Sequence, residues 1–245
     1  MPPRKATKKW MAIFDTHGDM AHLPGLKAAL EFAKVWKPAI RIAGGDHFDL
    51  RPLRKKSEDA IDETLNDDMA AGLDFISQWK PTVYLYGNHE DRLRQWQERG
   101  GIWERAAWPI EESLRKALPS NCQVFEYCKD RGVFKLGNIK VVHGYSAGIH
   151  ALRKHTLSYG NVIMGHIHAN DIVRVESHDR AIGFSSGCLC RLNMDYNRAQ
   201  LGTMRQSHGI LYGFTTGCGK THVHQAYPVD GSWWFPTEMM EISNG

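Results

Sequence analysis

Short apolar runs in the first part of the chain end abruptly at glycine or polar residues. They lie at residues 10–14, 39–43 and 82–86, and the first is followed directly by Asp15. Apolar runs of this length, bounded by turn-forming residues, are typical of buried strands. The pattern therefore predicts three buried strands, each with polar residues close behind it.

Amphipathic segments separate these runs. Apolar residues recur at helical spacing from Leu26 to Trp36, and Pro38 follows, so we expect a helix that ends before the proline. Residues 57–79 are a second helix candidate, with apolar residues along one face. Strands that alternate with helices predict a parallel or mixed sheet covered by helices.

From about Val133 the pattern changes to short strand-like runs joined by loops. Seven runs are predicted as strands: 133–136, 139–142, 162–164, 172–175, 182–185, 209–214 and 221–226. We expect them to form a second sheet packed against the first. Neither an internal repeat nor a linker rich in Pro, Gly and Ser divides the chain. The sequence thus predicts one domain over residues 1–245, with a basic, flexible tail at 1–9.

Composition narrows the class of protein. The 245 residues are 42% apolar and 24% charged, which is average for a soluble globular chain. No apolar run approaches the ~20 residues of a membrane helix, and the first apolar run is too short for a secretory signal. The five cysteines lack C-x-x-C spacing, so reduced thiols in a cytoplasmic protein are expected. A net charge of +4 is compatible with an anionic substrate but does not establish one.

Polar residues, including many of the 13 histidines, cluster where the apolar runs stop. The five clusters are Asp15-Thr16-His17, Gly45-Asp46-His47-Phe48-Asp49, Gly87-Asn88-His89-Glu90, His143-Gly144 and Gly165-His166-Ile167-His168. Ligands of open α/β sheets bind at the carboxyl ends of the strands. We therefore expect these five loops to converge on one crevice.

The side chains of these clusters form a recognisable set of metal donors. The candidate ligands are Asp15, His17, Asp46, Asn88, His143, His166 and His168. Oxygen and imidazole donors without a thiolate suit Mn, Fe, Zn or another first-row divalent ion. Seven groups exceed the needs of one ion, but a carboxylate can bridge two ions ~3.5–4 Å apart. One such motif alone carries little weight, whereas five in order, each after an apolar run, predict a metal site.

The ordered motifs D-x-H, G-D-x-x-D, G-N-H-E, a later His and G-H-x-H resemble the signature of calcineurin-like metallophosphoesterases. They extend from Asp15 to His168. The resemblance implies an α/β (α+β) fold, a four-layer sandwich of two mixed β-sheets flanked by helices. It also implies two divalent metal ions, with Mn²⁺ favoured and Fe, Zn, Ni or Co as alternatives.

The resemblance also implies a role for each motif residue. By motif position, Asp15, His17 and His168 resemble the ligands of one metal, and Asn88, His143 and His166 those of the other. Asp46 matches the bridging carboxylate. His89 matches the residue directed toward the leaving group, so His89 and Asp46 are the predicted catalytic residues.

Four further residues near the motifs are candidates for supporting roles. Asp49 and Glu90 are expected to orient ligand imidazoles or His89, although a solvated role for Glu90 is an equal alternative. His47 and Arg92 are candidates for contact with the substrate.

We hypothesise that a metal-bridging hydroxide attacks phosphorus while His89 assists the leaving group. Residues 91–108 interleave four arginines with three tryptophans. This composition suits a nucleic acid or nucleotide, since Arg contacts phosphates and Trp stacks on bases. The alternative is an amphipathic helical insert with its tryptophans in the core and its arginines in solvent. The favoured hypothesis is a phosphodiesterase that acts on nucleic acid or nucleotides.

Two other functions compete with this hypothesis. A phosphomonoesterase, acting on a protein or a small molecule, would use the same metals. Protein phosphatases of this superfamily, however, carry an arginine where this chain has Tyr86 and another where it has Leu50, with Arg51 one place late. A non-catalytic scaffold is the remote alternative. Such a protein need not retain every ligand, whereas this chain has all seven candidate ligands and His89.

Two segments outside the motifs receive weaker interpretations. Residues 187–207, rich in glycine and polar residues, are predicted to be a loop that serves as a lid or a subunit contact. His222 and His224 repeat the H-x-H spacing without the preceding glycine, and we expect them to be structural or solvent-facing.

Overall fold

The computed structural model describes residues 6–53, 62–176, 178, 180–192 and 204–235, with residues 62–64 described for the backbone alone. The helices are α1 (Leu23–Trp36), α2 (Asp62–Trp79), α3 (Asp91–Arg99), α4 (Gly101–Ala117) and α5 (Ala151–Tyr159). The strands are β1 (Lys8–Ile13), β2 (Ile40–Ala43), β3 (Val83–Leu85), β4 (Gln123–Phe125), β5 (Phe134–Leu136), β6 (Ile139–Val142), β7 (Val162–Met164), β8 (Asp171–Arg174), β9 (Ile182–Ser185), β10 (Ile210–Thr215), β11 (Thr221–Ala226), β12 (Pro228–Val229) and β13 (Ser232–Trp233).

Two large mixed sheets are formed by the described strands. The first has the order β11-β10-β1-β2-β3-β4, in which β1 to β4 are parallel and β10 and β11 are antiparallel additions at one side. The second has the order β5-β6-β7-β9-β8, in which β6, β7 and β9 are parallel. Both sheets thus have parallel central strands whose carboxyl ends can share a site.

Alternation along β1 shows how the layers stack. Met11 and Ile13 pack against the side chains of α1 and α2, whereas Trp10 and Phe14 belong to the core that holds Ile163 of the second sheet. Successive side chains of a strand point to opposite faces, so β1 separates a helical layer from the space between the sheets. Helix α5 packs through Leu152 on the second sheet. The resulting four layers confirm the predicted sandwich of two mixed sheets flanked by helices.

One prediction about the second half of the chain is wrong. The runs at 209–214 and 221–226 were expected in the second sheet, but β10 and β11 join the first sheet beside β1. Buried residues such as Ile210 and Tyr212 complete the helix-side core, which is the core between the first sheet and helices α1 and α2. Local periodicity identifies a strand but does not specify which edge it joins, and the sequence pattern also missed β4.

The arginine- and tryptophan-rich segment folds as two helices, in agreement with the helical alternative. Helices α3 and α4 meet at Gly100 and Gly101. Their φ values of 70° and 65° lie in a region that glycine enters readily. Trp96 is partly buried against the core, but Trp103 and Trp108 are exposed. The alternative is therefore correct in secondary structure and wrong in placing every tryptophan in the core.

Two further predictions have direct structural outcomes. His222 and His224 stack on Phe214 and Tyr212 of the neighbouring strand, so packing accounts for both histidines. Among the helices of the described ranges, none is both long enough and apolar enough to span a membrane.

Candidate metal centre

The strand ends bring the motif residues together. β1 leads to Asp15 and His17, β2 to Asp46, β3 to Asn88 and His89, β6 to His143, and β7 to His166 and His168. All five strands are in the parallel portions of the two sheets. Their carboxyl ends therefore deliver these residues to one crevice, as expected from the sequence.

Several of these residues adopt an unusual backbone conformation. Asp15, His17, Asp46, His166 and His168 have φ values between 53° and 68°, a region that non-glycine residues rarely enter. Such positions cost about 1–3 kcal/mol each and occur preferentially at functional sites. Their concentration in one crevice indicates that the positions of these side chains are maintained despite the strain in the backbone.

Glycine allows the closest approach of two of these loops. A Cβ atom added to Gly87 would lie 2.0 Å from Asp46 Oδ1, and one added to Gly165 would lie 2.6 Å from Asp15 Oδ2. No larger residue fits at either position without moving a carboxylate. The glycines of G-N-H-E and G-H-x-H are thus explained by the proximity of the acidic side chains.

The first cluster of donors lies around Asp15. His17 Nε2 and His168 Nε2 are 3.2 Å apart, and His168 Nε2 is 3.5 Å from Asp15 Oδ1. Asp15 Oδ1 is fully buried and has no hydrogen-bond partner among the described residues, an arrangement that is costly without a partner. A cation among these three atoms would resolve that deficit, so the residues fit a metal ion.

The second cluster lies around His143. Its Nε2 is 3.2 Å from Asp46 Oδ2 and 3.2 Å from Asn88 Oδ1. Asp46, His143 and His166 also offer ligand atoms within 4.8 Å of one another. His143 Nδ1 donates to the carbonyl oxygen of Gly44 at 3.0 Å, which leaves Nε2 free to face the site, as metal-binding histidines do.

Asp46 lies between the two clusters. Its Oδ2 contacts His143 Nε2 and is 3.7 Å from His89 Nε2. Its Oδ1 accepts the backbone N–H of His89 at 2.9 Å. Asp46, His17 and His89 form a further group of close ligand atoms, so Asp46 is the side chain that connects both sides of the crevice.

Electrostatics keep both carboxylates ionised. Burial would raise the pKa of Asp15, but His168 and His143 lower it to about 2. Burial likewise opposes ionisation of Asp46, yet His143 holds the pKa of that carboxyl well below its usual range. Burial and the neighbouring His143 lower the pKa of His166 to about 4. The metal-free crevice therefore presents two anionic carboxylates and a neutral His166 imidazole. Burial would lower the pKa of His143, but the carboxylates of Asp46 and Asp15 overcome this effect and raise it to about 9, so a divalent cation would displace a proton from that ring when it binds.

Asp49 contacts two of the site histidines. Its Oδ1 is 3.2 Å from His17 Nδ1 and 2.7 Å from His89 Nδ1. Arg51 donates to the other oxygen, Asp49 Oδ2, at 2.9 Å and also pairs with Asp19. Asp49 thus orients one imidazole on each side of it, while Arg51 holds Asp49 in place and is itself engaged by protein carboxylates.

Glu90 has a different role from the one expected. Its carboxylate accepts the backbone N–H groups of Asp46, His47, Phe48 and Gly87, together with the hydroxyl of Tyr84. The residue is fully buried, which excludes the solvated alternative. In the described contacts it binds loop amides instead of imidazoles, so it fixes the backbone after β2 to the backbone after β3.

Glu90→Ala should destabilise the protein strongly. The substitution leaves several buried N–H groups without an acceptor, and each such group costs about 1–3 kcal/mol. We expect the free energy of unfolding to fall by about 3–5 kcal/mol, measured by urea denaturation of the metal-free protein. The control is Glu112→Ala on the exposed surface of α4, which should change stability by less than about 0.5 kcal/mol. Equal effects of the two substitutions would contradict this role.

The two candidates for substrate contact are both engaged by the protein. His47 is fully buried, stacks on Phe75 with ring centres 4.5 Å apart and bonds to Thr16. The expectation that His47 reaches substrate is therefore wrong, because its side chain points into the helix-side core. Arg92 donates to the carbonyl oxygens of Asp49 and Leu50, and thereby supports the loop that carries Asp49.

Sequence reasoning missed Asp68, a buried carboxylate on α2. It accepts the N–H groups of Asp49 and Leu50 at 2.8 and 2.6 Å. A signal was present, because Asp68 lies three residues after Leu65 on the apolar stripe of the helix. A carboxylate on a buried stripe needs a hydrogen-bonded partner, and here the partner is the loop after β2.

Asp68→Asn should change how stability depends on pH. Burial raises the pKa of Asp68 from 3.8 to about 6, so over this interval the folded protein binds a proton that the unfolded chain has lost. The stabilisation that this bound proton gives to the folded state is present at low pH and is lost as pH rises from about 4 to about 6. In metal-free protein, the unfolding free energy of wild type relative to Asp68→Asn should fall across this range by at most ~1.4 kcal/mol per pH unit.

Asp67→Asn, at the neighbouring exposed position, is the control for this measurement. It leaves Asp68 in place, so the pH dependence that Asp68 contributes should persist in this variant. A constant difference between wild type and Asp68→Asn at every pH would show that the buried carboxylate keeps its ordinary pKa.

Part of the predicted loop at 187–207 also reaches the site. Leu189 N–H donates to the Asp15 carbonyl oxygen at 3.1 Å, and Cys190 Sγ lies 3.8 Å from His168 Nδ1. The cysteines of this segment were not predicted near the site, and no motif in the sequence marks them. Residues 193–203 of the predicted lid lie outside the described ranges.

Together, the fold and the site define an α/β two-sheet protein with a buried His- and Asp-rich centre that can hold divalent metal. This class is the one that the resemblance to calcineurin-like metallophosphoesterases predicts for fold and donor chemistry.

Comparisons with known proteins return solved structures of low sequence identity. They include a metallophosphoesterase from Sphaerobacter thermophilus (16% identity, 89% of this chain and 88% of that chain, TM-score 0.43). They also include Yfce, a phosphoesterase from E. coli (15%, 89% and 97%, 0.40), and Vacuolar Protein Sorting 29 from Cryptosporidium parvum (10%, 94% and 96%, 0.46). No protein-family profile and no curated protein matches the chain. At this level of similarity, the functional argument depends on the site itself.

Proposed function

We propose that this protein is a metal-dependent phosphoesterase that hydrolyses a phosphodiester in a nucleic acid or a nucleotide. The observation that carries the proposal is the position of Asp46 between two donor clusters, beside a buried Asp15 oxygen that accepts no hydrogen bond from the described residues. One anionic side chain shared by two sets of imidazole and oxygen donors suits a pair of divalent ions, of which Mn²⁺ is the favoured identity.

Each cluster supplies ligands for one ion in this proposal. Asp15, His17 and His168 would hold the first, Asn88, His143 and His166 would hold the second, and Asp46 would be shared by both. When bound, such ions neutralise phosphate oxygens and acidify a water molecule, which gives a nucleophile near neutral pH.

His89 is placed to assist the departing group. Asp49 Oδ1 is 2.7 Å from His89 Nδ1 and fixes a proton on that nitrogen. In the doubly protonated imidazolium, Nε2–H is therefore the group that would give its proton to the leaving oxygen, which leaves a neutral imidazole with its remaining proton on Nδ1. A general acid at such a position accelerates hydrolysis by about 10²–10⁴-fold.

A cavity beside the crevice supports a substrate with a planar ring. Its volume is about 310 Å³, and its walls include Tyr86, Trp108 and Tyr127. The Tyr127 ring is 5.9 Å from the His143 ring, so the cavity adjoins the second cluster. The Tyr86 hydroxyl is buried there without a partner among the described residues. Aromatic faces with polar edges are suited to a nucleobase.

The cationic residues of this wall are paired with acids. Arg94 bonds to Asp91 and Glu98, and Arg115 bonds to Glu111. Pairing reduces their capacity to follow a long phosphate backbone. The cavity wall thus supports binding of a base more strongly than contacts between arginines and successive phosphates of a polymer.

The proposal is tested by a hydrolysis screen with Mn²⁺ present. The substrates are single-stranded DNA, duplex DNA, RNA, cyclic nucleotides, a bis-aryl phosphate and a mono-aryl phosphate. We expect hydrolysis of diesters that contain nucleosides, with bis-aryl phosphate cleaved faster than mono-aryl phosphate. Preference for monoesters would support a phosphomonoesterase instead. Stoichiometric metal without any hydrolysis would support a non-catalytic scaffold.

Trp108→Ala should weaken nucleotide binding selectively. A base stacked on an aromatic side chain contributes about 1–3 kcal/mol, so KM for a nucleoside-containing diester should rise about 5- to 100-fold. KM for a dimethyl phosphodiester should stay unchanged, because that substrate has no ring to stack. Trp103→Ala is the matched control, since Trp103 is exposed but packs on Arg99 and Trp96 outside the cavity. Equal losses for both substrates would contradict a base subsite.

A further inference from the structure

Three histidines of the site share one arrangement of their ring nitrogens. His17 and His143 direct Nε2 into the crevice, while their Nδ1 atoms face Asp49 Oδ1 at 3.2 Å and the Gly44 carbonyl oxygen at 3.0 Å. Metal-binding imidazoles usually donate the second N–H to a carboxylate, carbonyl or water, which fixes the tautomer and the ring orientation. His168 also directs Nε2 into the crevice, 3.5 Å from Asp15 Oδ1.

The partner of His168 Nδ1 is a sulfur atom. Cys190 Sγ lies 3.8 Å from Nδ1, a distance that suits a hydrogen bond to a large sulfur acceptor. Cys190 is fully buried, so bulk water does not take the place of the thiol as the hydrogen-bond acceptor. A buried N–H group without an acceptor is costly, so the sulfur contributes a hydrogen bond as well as packing.

The backbone around Cys190 is fixed to the loop that carries two of the ligands. Leu189 N–H donates to the Asp15 carbonyl oxygen, and Arg191 N–H donates to the Met20 carbonyl oxygen at 2.8 Å. Cys190 itself forms a β-bridge with Ala21. The sulfur is therefore held in register with the Asp15–His17 loop, and it lies within 4.8 Å of a ring nitrogen of His17 and of His168.

We propose that Cys190 is a positioning residue that accepts the Nδ1–H of His168 and thereby fixes Nε2 toward Asp15 and His17. The inference rests on the proposed metal centre, to which it adds one orienting side chain. Its role parallels those of Asp49 for His17 and of the Gly44 carbonyl for His143. Cys188 Sγ is 3.8 Å from the Cys190 carbonyl oxygen, and the Cys188 side chain also interacts with His168.

The test is a titration of the metal-free protein with Co²⁺, followed by the visible absorption of the ion and by competition with a chelator. Cys190→Ala removes the acceptor, and Cys190→Ser keeps a smaller hydroxyl acceptor at the same position. We expect Cys190→Ala to weaken one of two binding steps by about 10- to 100-fold, as loss of an orienting partner does. Cys190→Ser should bind Co²⁺ within a few-fold of wild type. Cys122→Ala, which removes a half-buried thiol elsewhere, should match wild type.

The outcomes separate the inference from the proposed function. Unchanged Co²⁺ affinity in Cys190→Ala, or equal losses in the Ala and Ser variants, would overturn the positioning role while wild type still bound metal and hydrolysed diesters. A sulfur-to-cobalt charge-transfer band in wild type that Cys190→Ser abolished would also overturn it, because Cys190 would then be a ligand. Failure of wild type to bind Co²⁺ would overturn the metal centre and the inference together. Thermal unfolding of each variant confirms that the comparison is between folded proteins.

Discussion

Asp46→Asn is expected to abolish metal-dependent hydrolysis while the protein remains folded. Asp46 Oδ2 is 3.2 Å from His143 Nε2 and 3.7 Å from His89 Nε2, so its charge is shared by both sides of the site. An amide has nearly the same shape but lacks the negative charge that a bridge between two cations requires. Loss of several kcal/mol of transition-state stabilisation corresponds to a fall in kcat/KM on the order of 10³-fold.

The measurement combines metal analysis with kinetics. The variant should retain less than two equivalents of metal after dialysis, and its residual activity should not be restored by excess Mn²⁺. Asp74→Asn, an exposed position on α2, is the control and should match wild type in both measurements. Full activity of Asp46→Asn with two bound ions would contradict the shared-carboxylate centre.

His89→Ala is expected to slow the chemical step without loss of metal. His89 Nδ1 is held by Asp49, and its Nε2 faces the crevice beside Asp46. Removal of the imidazole leaves the leaving oxygen without a proton donor, which should lower kcat about 10²–10⁴-fold. The seven proposed metal ligands remain, so metal content should stay at the wild-type level.

The leaving group makes this experiment specific. A nitrophenolate departs without help, whereas an alkoxide needs a proton, so the loss of kcat should be small for aryl diesters and large for alkyl diesters. His222→Ala, an exposed histidine on β11, should leave kcat unchanged for both. A uniform loss across leaving groups, or loss of metal, would exclude the assigned role of His89.

The sequence was most informative where local pattern and chemistry coincide. An apolar run that ends in Asp15, Asp46 or His143 reveals both a buried strand and its functional end, because polar residues are costly inside a sheet. The positions of these residues in one crevice follow from parallel strands alone. This reasoning recovers the strands that carry the motifs and the ends at which the candidate ligands meet.

The remaining features depend on contacts between distant segments. β10 and β11 have ordinary strand patterns, and only packing against the helices decides that they extend the first sheet. Glu90 and His47 each follow a motif glycine by two or three residues, yet one binds four backbone amides and the other lies in the core. Which way a side chain turns after a strand end is set by tertiary packing, not by spacing.

Glu90 and Asp68 together hold the loops after β2 and β3 through hydrogen bonds that involve only protein atoms. These hydrogen bonds go to backbone N–H groups, so they use none of the candidate metal-ligand side chains. Substitution of a candidate ligand should therefore change metal binding without releasing either loop. A series of ligand variants can accordingly be compared on one fixed backbone.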